Sequence, residues 1–428
     1  MKVYLRTFGC RANHYDSEAV RAMILASGHE VVSSAADADV AVFNSCAVTH
    51  EAEVELRKTI RRTARQRPHV RSVVMGCAAA LDERRGADAL LRTLPTVEHV
   101  VAGADLPAIA AALELDGSAR AFTTAHQTAT RALLRIQDGC DEHCTFCATT
   151  LARGANRSRP VADVVREAHV LADHHPEIVI TGIHIGSYGA DADTSLGELV
   201  ERLVTDIPLV RFRLSSLEAT EVDERLFALL TEAPSRVAPH LHAPLQSGSD
   251  RVLRRMGRHW YTVERYAAAV ERIVAASGPF GLGADVIAGF PGETERDHEA
   301  TLAVIERLPF TYLHVFPFSW RPGTAAERLS EPVPDAIVRR RASELRELAA
   351  RKSAAYVTSR SGGPADVVVI GRADTANECD GVTGDYLDVR VLDSSAGRGG
   401  RFIGQLGLLD GRLVAATPAR FAGALGTR

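Results

Sequence analysis

The residues best suited to chemistry in this sequence are two sets of three cysteines. The stretch GCDEHCTFC places Cys140, Cys144 and Cys147 close together, directly after the predicted strand ALLRIQ. Thiolates bind zinc and iron-sulfur clusters, and three of them leave one metal position open. An open position distinguishes a catalytic metal site from a closed structural one. In (β/α) barrels active residues follow the carboxyl ends of strands, so the run predicts a catalytic metal centre.

Zinc is the alternative metal for this run, because His143 could complete a Cys₃His site. Structural zinc ligands usually come as two separated pairs, whereas His143 directly precedes Cys144. Compact cysteine runs of this type are more typical of iron-sulfur proteins. The sequence therefore favours an iron-sulfur cluster and leaves zinc open.

The second set is Cys10, Cys46 and Cys77, which follow the predicted strands VYLRTF, VAVFN and SVVMG. Their spacing fits successive strand-crossover-strand units of about 30 residues. Neighbouring strands lie about 4.8 Å apart, so three adjacent strand tips would gather these thiols at one sheet edge. The alternative is three inert buried cysteines, a common core residue. Cys379 stands in the turn-like stretch NECDGVTG and is assigned no role.

Alternating strand and helix patterns must position the second set. Residues 1–115 read as a layered α/β domain with a mostly parallel sheet. Asp16 is predicted to N-cap the helix SEAVRAMILAS, and Gly28 to follow its end. The short EVV stretch is predicted to be an edge strand. Such sheets bind ligands at the carboxyl edge, where the three cysteines lie.

Six strand-helix units follow in residues 130–358, and these predict an open (β/α)6 barrel, since a closed barrel needs eight. The strand candidates are ALLRIQ, EIVITGI, VRFRLSS, APHLHAPL, GLGADVIAGF and YLHVFPF. A long helix then leads into the linker-like SRSGGP. Residues 362–428 contain short strands between Gly- and Asp-bearing turns, which predicts a small β-barrel or sandwich.

Composition excludes several classes of protein. The 428 residues suit about three domains, and 46% hydrophobic with 24% charged residues is ordinary for a soluble globular protein. No signal peptide or apolar run of about 18 residues is found, so a cytoplasmic protein without membrane contact is predicted. In that compartment the seven cysteines do not suggest a disulfide framework.

A net charge of −4 argues against nonspecific coating of nucleic acid. Three basic segments nevertheless leave an RNA partner open, although each is more simply a solvated helix face. They comprise Arg57, Lys58, Arg61, Arg62, Arg65, Arg67 and Arg71; Arg251, Arg254, Arg255 and Arg258; and Arg339, Arg340, Arg341, Arg346, Arg351 and Lys352.

Ordered motifs along nearly the whole chain resemble the radical S-adenosylmethionine (SAM) methylthiotransferase family. They are TFGCRANHYDSE, NSCAVT, the GC of Gly76 and Cys77, GCDEHCTFC, TGIHIGSYG, RFRLSSLEATEVD, HLHAPLQSGSDRVLRRMGR, DVIAGFPGET and FPFSWRPGTAA. The tail resembles the RNA-binding TRAM domain. Two stretches depart from the family pattern: ATTLARG after Cys147 lacks a hydrophobic pair and a proline, and GCAAA lacks the usual polar and aromatic residues.

The resemblance implies two [4Fe-4S] clusters, each with an open iron. Cys140, Cys144 and Cys147 would hold the SAM-cleaving cluster, and Cys10, Cys46 and Cys77 the auxiliary cluster that carries sulfur. One SAM would donate methyl, and another would yield the radical that abstracts hydrogen from an adenine carbon. No side-chain acid-base pair is required. The residues expected to contact SAM are Phe146, Gly182, Glu218 and Gln246.

The motifs TFGCRANHYDSE and GVTGDYLDV are most similar to the corresponding motifs of enzymes that act on N6-threonylcarbamoyladenosine beside the anticodon of tRNA. The expected partners are therefore the tRNA anticodon stem-loop, SAM, an electron donor such as a flavodoxin-like protein, and a sulfur source. An isopentenyladenosine or ribosomal-protein substrate is the alternative within the family. A non-catalytic iron-sulfur protein or a zinc RNA-binding protein is the alternative outside it. His240 and His242 are expected to be hydrogen-bonded barrel residues rather than metal ligands.

Overall fold

The computed structural model of the protein describes residues 1–47, 50–115, 126–371, 379–392 and 397–417. Three bodies of β-structure follow one another along the chain: a parallel sheet, an open barrel and a small closed barrel. Val48 and Thr49 of the NSCAVT motif, and the predicted end of the last domain at residues 418–428, lie outside the described residues. Within those residues no helix is long and apolar enough to cross a bilayer.

The first body is a parallel sheet of five strands in the order β2-β1-β3-β4-β5. EVV is the edge strand, as predicted, and β5 is a strand that the sequence reading missed. Apolar clusters pack on both faces of the sheet, which explains the nearly continuous hydrophobic strands β3 and β4. The elements are β1 Lys2–Thr7, α1 Arg11–Ala26, β2 Glu30–Val32, β3 Val40–Ser45, α2 His50–Gln66, β4 Arg71–Gly76, α3 Cys77–Glu83, β5 Val97–Ala102 and α4 Leu106–Ala112.

The predicted N-cap of α1 was wrong. The helix begins at Arg11, and Cys10 has the extended backbone of an N-cap residue, with φ −84° and ψ 177°. Asp16 instead lies inside the helix and is almost fully buried. Gly28 follows the end of the helix with φ +75°, as predicted.

The second body is the predicted open barrel of six parallel strands. Three strands form the sheet β10-β9-β6 and three form β11-β12-β13, and the parallel bridges Phe212–Val237 and Ser216–His242 join the two sheets. The strands are β6 Arg131–Arg135, β9 Glu177–Thr181, β10 Arg211–Leu214, β11 His240–His242, β12 Gly281–Ala288 and β13 Tyr312–Pro317, with the short pair β7 Gln137–Asp138 and β8 Arg157–Ser158 beside the first cysteine loop.

Helices cover the outside of this barrel and bury their apolar stripes in one continuous core. Hydroxyl and carboxylate N-caps fix several of the helix starts, among them Ser195, Asp223, Ser249 and Thr294. The helices are α5 Thr149–Arg153, α6 Val161–Ala172, α7 Leu196–Asp206, α8 Glu224–Glu232, α9 Asp250–Arg255, α10 Val263–Ala276, α11 Glu295–Arg307 and α12 Asp335–Arg360.

The third body is a closed barrel in the order β14-β15-β16-β18-β17. The stretch with Cys379 is not a turn: Cys379–Thr383 forms β15, because its alternating residues pair with two neighbouring strands. Cys379 is buried there. The strands are β14 Pro364–Val369, β15 Cys379–Thr383, β16 Asp388–Val391, β17 Arg401–Leu409 and β18 Arg412–Ala416.

Buried arginines attach the closed barrel to the open one. Arg213 donates to the carbonyl oxygens of Thr383 and Gly384, each at 3.0 Å, and to the buried carboxylate of Glu177. Burial would raise the pKa of Glu177, but the charges of Arg213 and Arg211 hold it well below its usual range. The polar interior of the open barrel thus holds the last domain against the first strands.

Candidate active site between two cysteine trios

Cys10, Cys46 and Cys77 lie at the carboxyl ends of β1, β3 and β4, which are adjacent strands. Cys46 and Cys77 are buried and Cys10 is exposed. Burial raises the pKa of the Cys77 thiol to about 11, and the neighbouring Cys10 and Cys46 contribute to the increase. The sequence prediction that parallel strands would gather this trio at one sheet edge therefore agrees with the geometry. These three residues are called the sheet trio below.

Two glycines make the close approach of the sheet trio possible. A Cβ on Gly9 would lie 2.7 Å from Sγ of Cys46, and a Cβ on Gly76 would lie 2.5 Å from the Ser45 carbonyl oxygen. Both glycines have positive φ, +110° and +96° respectively. Each precedes a cysteine of the sheet trio, so these two Gly-Cys pairs reflect a need for backbone space beside the thiols.

Cys140, Cys144 and Cys147, called the loop trio, lie between β7 and α5, beyond the carboxyl end of β6. Nη1 of Arg258 donates to Sγ of Cys144 at 3.4 Å, and Nδ1 of His184 lies 3.9 Å from Sγ of Cys140. Both Oγ1 and the backbone nitrogen of Thr149 contact Sγ of Cys147, at 3.0 and 3.4 Å. Polar hydrogens therefore surround the loop trio.

Burial opposes ionisation of these thiols in the cluster-free chain. It raises the pKa of Cys144 to about 12 against the nearby charge of Arg258, and it also raises the pKa of Cys147. Burial lowers the pKa of His184, but its hydrogen bonds to Cys140 and to Glu221 raise it to about 10. A bound metal deprotonates coordinating thiols, so the loop suits a metal more than a free thiolate nucleophile.

Arg153 connects the two trios. It is the last residue of α5 and is almost fully buried, and its Nε donates to Sγ of Cys77 at 3.3 Å. Its Nη atoms donate to Asp16 at 2.7 Å and to Asp138 at 3.1 Å. Arg153, which follows the loop trio in the chain, thus contacts the sheet trio, and its hydrogen bonds to the two aspartates fix the orientation of its planar guanidinium.

The two departures from the family pattern lie against each other. ATTLARG forms α5, GCAAA begins α3, and the two helices are in contact. Ala152 of α5 packs on the apolar cluster that contains Ala78 and Ala79 of α3. Small side chains on both helices permit this close contact, which gives the unusual residues a common structural reason.

A cavity of about 610 Å³ has Phe146, the residue before Cys147, in its wall. It contains two of the residues predicted to contact SAM, Phe146 and Gln246, and its floor comes from the ends of β12 and β13. Arg321 also lines it and is close enough to Cys46 for their charges to interact. The lining consists of Glu51, Phe146, Gln246, Asp285, Ile287, Phe316, Pro317, Phe318, Ser319, Arg321 and Arg346.

The other two residues predicted to contact SAM, Gly182 and Glu218, do not line this cavity. Glu218 is buried, accepts a hydrogen bond from Nε1 of Trp260 at 2.5 Å, and is paired with Arg258. A Cβ on Gly182 would lie 2.8 Å from Oε1 of Gln137, an oxygen that accepts two backbone N–H groups. Both positions shape the loop trio's surroundings rather than the cavity wall.

The two strand histidines form a hydrogen-bonded chain, in line with the sequence reading. Tyr312 Oη lies 2.8 Å from Nε2 of His240 and 3.1 Å from Nδ1 of His242. Nε2 of His242 and Nδ1 of His314 meet Oδ1 of Asp285, at 3.1 and 3.2 Å. Burial would raise the pKa of Asp285, but these two hydrogen bonds lower it well below its usual range. Nδ1 of the buried His240 nevertheless has no hydrogen-bond partner among the described residues, and the ligand atoms of His242, Asp285 and His314 lie within 4.8 Å of one another, so the expectation that these histidines bind no metal stays a prediction.

Sequence reasoning missed the arginines that contact sulfur. Arg258 was interpreted as part of a solvated basic face, whereas it is buried between Cys144 and Glu218. Arg153 lies in ATTLARG, which was interpreted only as a departure from the family pattern. Nothing in the local pattern reveals these roles, because the partners of Arg153 and Arg258 lie 76 and 114 residues away in the chain.

The donor sets fit iron-sulfur clusters better than zinc. A tetrahedral zinc at about 2.3 Å from its sulfur ligands needs those ligands about 3.8 Å apart. Within the described residues, one group of three potential ligands has its ligand atoms within 4.8 Å of one another, namely His242, Asp285 and His314. The sulfur atoms of neither cysteine trio lie that close together. His143 is exposed. Hydrogen bonds to thiolate sulfurs are a usual means of tuning iron-sulfur clusters, and both trios have them.

Comparison with known proteins agrees with this geometry. Residues 134–305 match the radical SAM superfamily, and residues 2–102 match the uncharacterized protein family UPF0004. The threonylcarbamoyladenosine tRNA methylthiotransferase MtaB of Bacillus subtilis is 33% identical, with 90% of this chain and 89% of the relative covered. The same-named protein of Thermotoga maritima is 34% identical, covering 83% of each. A tRNA-2-methylthio-N(6)-dimethylallyladenosine synthase of Mycobacterium ulcerans is 35% identical, covering 92% and 78%.

Solved structures share the fold at low sequence identity. The radical SAM methyltransferase TsrM of Kitasatospora setae aligns with a TM-score of 0.51 and 16% identity, over 76% of each chain. The cobalamin-dependent SAM radical enzyme OxsB aligns with a TM-score of 0.50 and 12% identity over 82% of this chain, which spans 56% of OxsB.

An open six-stranded barrel with a three-cysteine loop, preceded by a second cysteine trio, defines a radical SAM enzyme with an additional sulfur-rich site. The identity to curated relatives over most of the chain is decisive, and the chain belongs to the radical SAM methylthiotransferases. It is a transferase, and its family uses a [4Fe-4S] cluster and SAM.

Proposed function

We propose that the protein inserts a methylthio group at the adenine of N6-threonylcarbamoyladenosine next to the anticodon of tRNA. The curated relatives from Bacillus subtilis and Thermotoga maritima carry this activity in their names. The single observation that supports it best is the cavity of about 610 Å³. It is bordered by Phe146, next to Cys147, and by Arg321, whose charge interacts with Cys46. A substrate there would meet both sulfur-rich sites.

We propose that each trio holds one [4Fe-4S] cluster, the loop trio the SAM-cleaving cluster and the sheet trio the auxiliary cluster. When bound, the clusters would supply the electron that cleaves SAM and a site for the transferred sulfur. The chain's own contribution is electrostatic. Arg258 and the backbone N–H of Thr149 donate to sulfurs of the loop trio and Arg153 donates to the sheet trio, and hydrogen bonds of this type stabilise thiolates.

For SAM itself, we propose direct contacts from Phe146 and Gln246, which face the cavity. Gln246 has φ +64°, and its backbone carbonyl and N–H pair with β12, so its position is fixed. Glu218 and Gly182 would act indirectly. Glu218 holds Arg258 against Cys144, and Gly182 leaves room for the Gln137 side chain.

We propose three domains, at residues 1–115, 130–358 and 362–428, and assign tRNA binding to the first and last. The small closed barrel would contact RNA as a TRAM-like domain. Arg61, Arg62 and Arg65 are exposed on α2 and would add a basic surface. An unidentified electron donor, flavodoxin-like or similar, and a sulfur source complete the partners. A protein that modifies tRNA in this way would work in the cytoplasm.

Mass spectrometry of tRNA nucleosides from cells with and without the gene tests this function. Loss of the methylthio form of threonylcarbamoyladenosine is the expected result, and a C140A/C144A/C147A chain should fail to restore it. An unchanged nucleoside profile in cells that expressed the protein beforehand would reject the proposal.

A second function is supported by the Mycobacterium ulcerans relative, whose name specifies dimethylallyladenosine. The same nucleoside analysis separates the two, because the methylthio forms of the two adenosines differ in mass. Loss of the dimethylallyl product alone would assign the chain to that substrate.

A further inference from the structure

Among the described residues, Arg346 of the cavity wall has no ion pair with an acidic side chain, unlike Arg340 and Arg351 on the same helix. Nη2 of Arg346 makes a long hydrogen bond of 3.4 Å to the Val315 carbonyl oxygen, and its side chain is exposed at the edge strand β13. On the same helix Arg340 is 2.7 Å from Glu295, and Arg351 is 2.9 Å from Glu306. The guanidinium of Arg346 therefore has N–H groups available for a bound ligand at the cavity wall.

The carboxylates that line the cavity have other cationic or donor partners. Asp285 accepts hydrogen bonds from His242 and His314. Glu51 interacts with the charge of Arg321. Arg321 is also ion-paired with Glu53, at 3.7 Å, and among the described residues no carboxylate forms an ion pair with Arg346 of the cavity wall.

Apolar side chains share the cavity wall with Arg346. Phe316, Phe318 and Ile287 line the same cavity, and Phe316 is partly exposed. Aromatic faces of this kind stack on nucleobases, whereas a guanidinium binds carboxylates or phosphates through two parallel hydrogen bonds. The combination suits an adenine that carries an anionic substituent.

We propose that Arg346 binds the carboxylate at the end of the N6 substituent of the substrate adenine and thereby selects threonylcarbamoyladenosine over adenosines with an apolar substituent. The inference rests on the proposed function and adds a residue that determines specificity. A phosphate of the RNA offers similar chemistry to Arg346, so the test must separate the two anions.

The experiment compares two anticodon stem-loop RNAs of identical sequence, one with threonylcarbamoyladenosine and one with its neutral carboxamide analogue. The dissociation constant and kcat/KM for methylthiolation are measured with the reconstituted full-length enzyme. Variants are Arg346→Gln, Arg346→Lys and the matched control Arg351→Gln, a paired and exposed arginine on the same helix outside the cavity.

Arg346→Gln should weaken binding and lower kcat/KM on the carboxylate RNA by about 10- to 100-fold, which corresponds to losing a charge-assisted hydrogen bond, and should change the carboxamide RNA little. Arg346→Lys should retain part of the preference, and Arg351→Gln all of it. Equal losses on both RNAs would overturn the inference in favour of a phosphate contact. Equal losses of kcat/KM with unchanged binding would overturn it in favour of a SAM contact.

The failure of the proposed function gives a different result. If the wild-type enzyme methylthiolates a dimethylallyladenosine stem-loop but neither of these two RNAs, the substrate assignment is wrong and the role of Arg346 falls with it. If the wild type prefers the carboxylate RNA and Arg346→Gln keeps that preference, only the inference about Arg346 is wrong.

Discussion

Replacing Arg153 should affect the stability of the protein and its sheet-trio cluster together. The side chain is buried and donates to Asp16, Asp138 and Cys77. Arg153→Ala leaves Asp16 buried with one of its two arginine partners, and breaking a buried ion pair costs about 3–5 kcal/mol. We therefore expect the free energy of unfolding to fall by about that amount.

Anaerobic urea unfolding followed by circular dichroism measures the change, with the slope of the transition checked in each variant. Arg157→Ala is a matched control, because Arg157 lies 3.6 Å from the same Asp138 and is largely exposed. An exposed pair of this kind contributes about 0–1 kcal/mol. Arg153→Lys should fall between the two, since lysine keeps the charge but lacks the planar fork.

The cluster gives a second, independent measurement. In a chain whose loop trio is replaced by alanine, Arg153→Ala should shift the reduction potential of the remaining cluster, because hydrogen bonds to cluster sulfurs tune it. The bridging role assigned to Arg153 is refuted if two results occur together. The free energies of unfolding of Arg153→Ala and Arg157→Ala would agree within about 0.5 kcal/mol, and Arg153→Ala would leave the reduction potential unchanged.

Three further predictions concern other parts of the molecule. Replacing either trio by alanine should lower the iron content by about four atoms per chain, and only loss of the loop trio should abolish SAM cleavage; loss of all iron with either set would contradict independent sites. Burial would raise the pKa of Asp385, but the charge of Arg360 and the hydrogen bonds donated to the carboxylate lower it. The ionised Asp385 therefore stabilises the folded state at pH values above the ordinary pKa of an aspartate. The stability difference between wild type and Asp385→Asn should shrink as the pH falls below about 4, and a constant difference would exclude this link. Reversing Arg61, Arg62 and Arg65 to glutamate should weaken tRNA binding and flatten its salt dependence, whereas Arg272→Glu, on a helix of the barrel, should not.

The positions of the cysteines followed from the sequence because strand periodicity is local. Each of Cys10, Cys46 and Cys77 follows a hydrophobic run, and parallel strands bring such run ends to one edge. The order β2-β1-β3-β4-β5 then made the three strands adjacent, as the spacing predicted. β5 was missed, although its register with β4 is regular after one irregular position.

Asp16 and Arg258 illustrate what local patterns do not contain. The sequence Asp-Ser-Glu before an apolar run is typical of a helix start, yet Asp16 is buried because arginines at positions 135 and 153 neutralise it. Arg258 is buried because Glu218 and the Cys144 sulfur accept its hydrogens. Such roles depend on partners distant in sequence, which one chain without its structure does not reveal.

The contact between α3 and α5 has a consequence for the distance between the two trios. α3 starts at Cys77 of the sheet trio, and α5 starts two residues after Cys147 of the loop trio. Two short helices packed through alanines therefore act as a rigid spacer whose length is set by methyl groups. Larger side chains at Ala78, Ala79 or Ala152 should therefore push the two helices apart and change the distance between the trios.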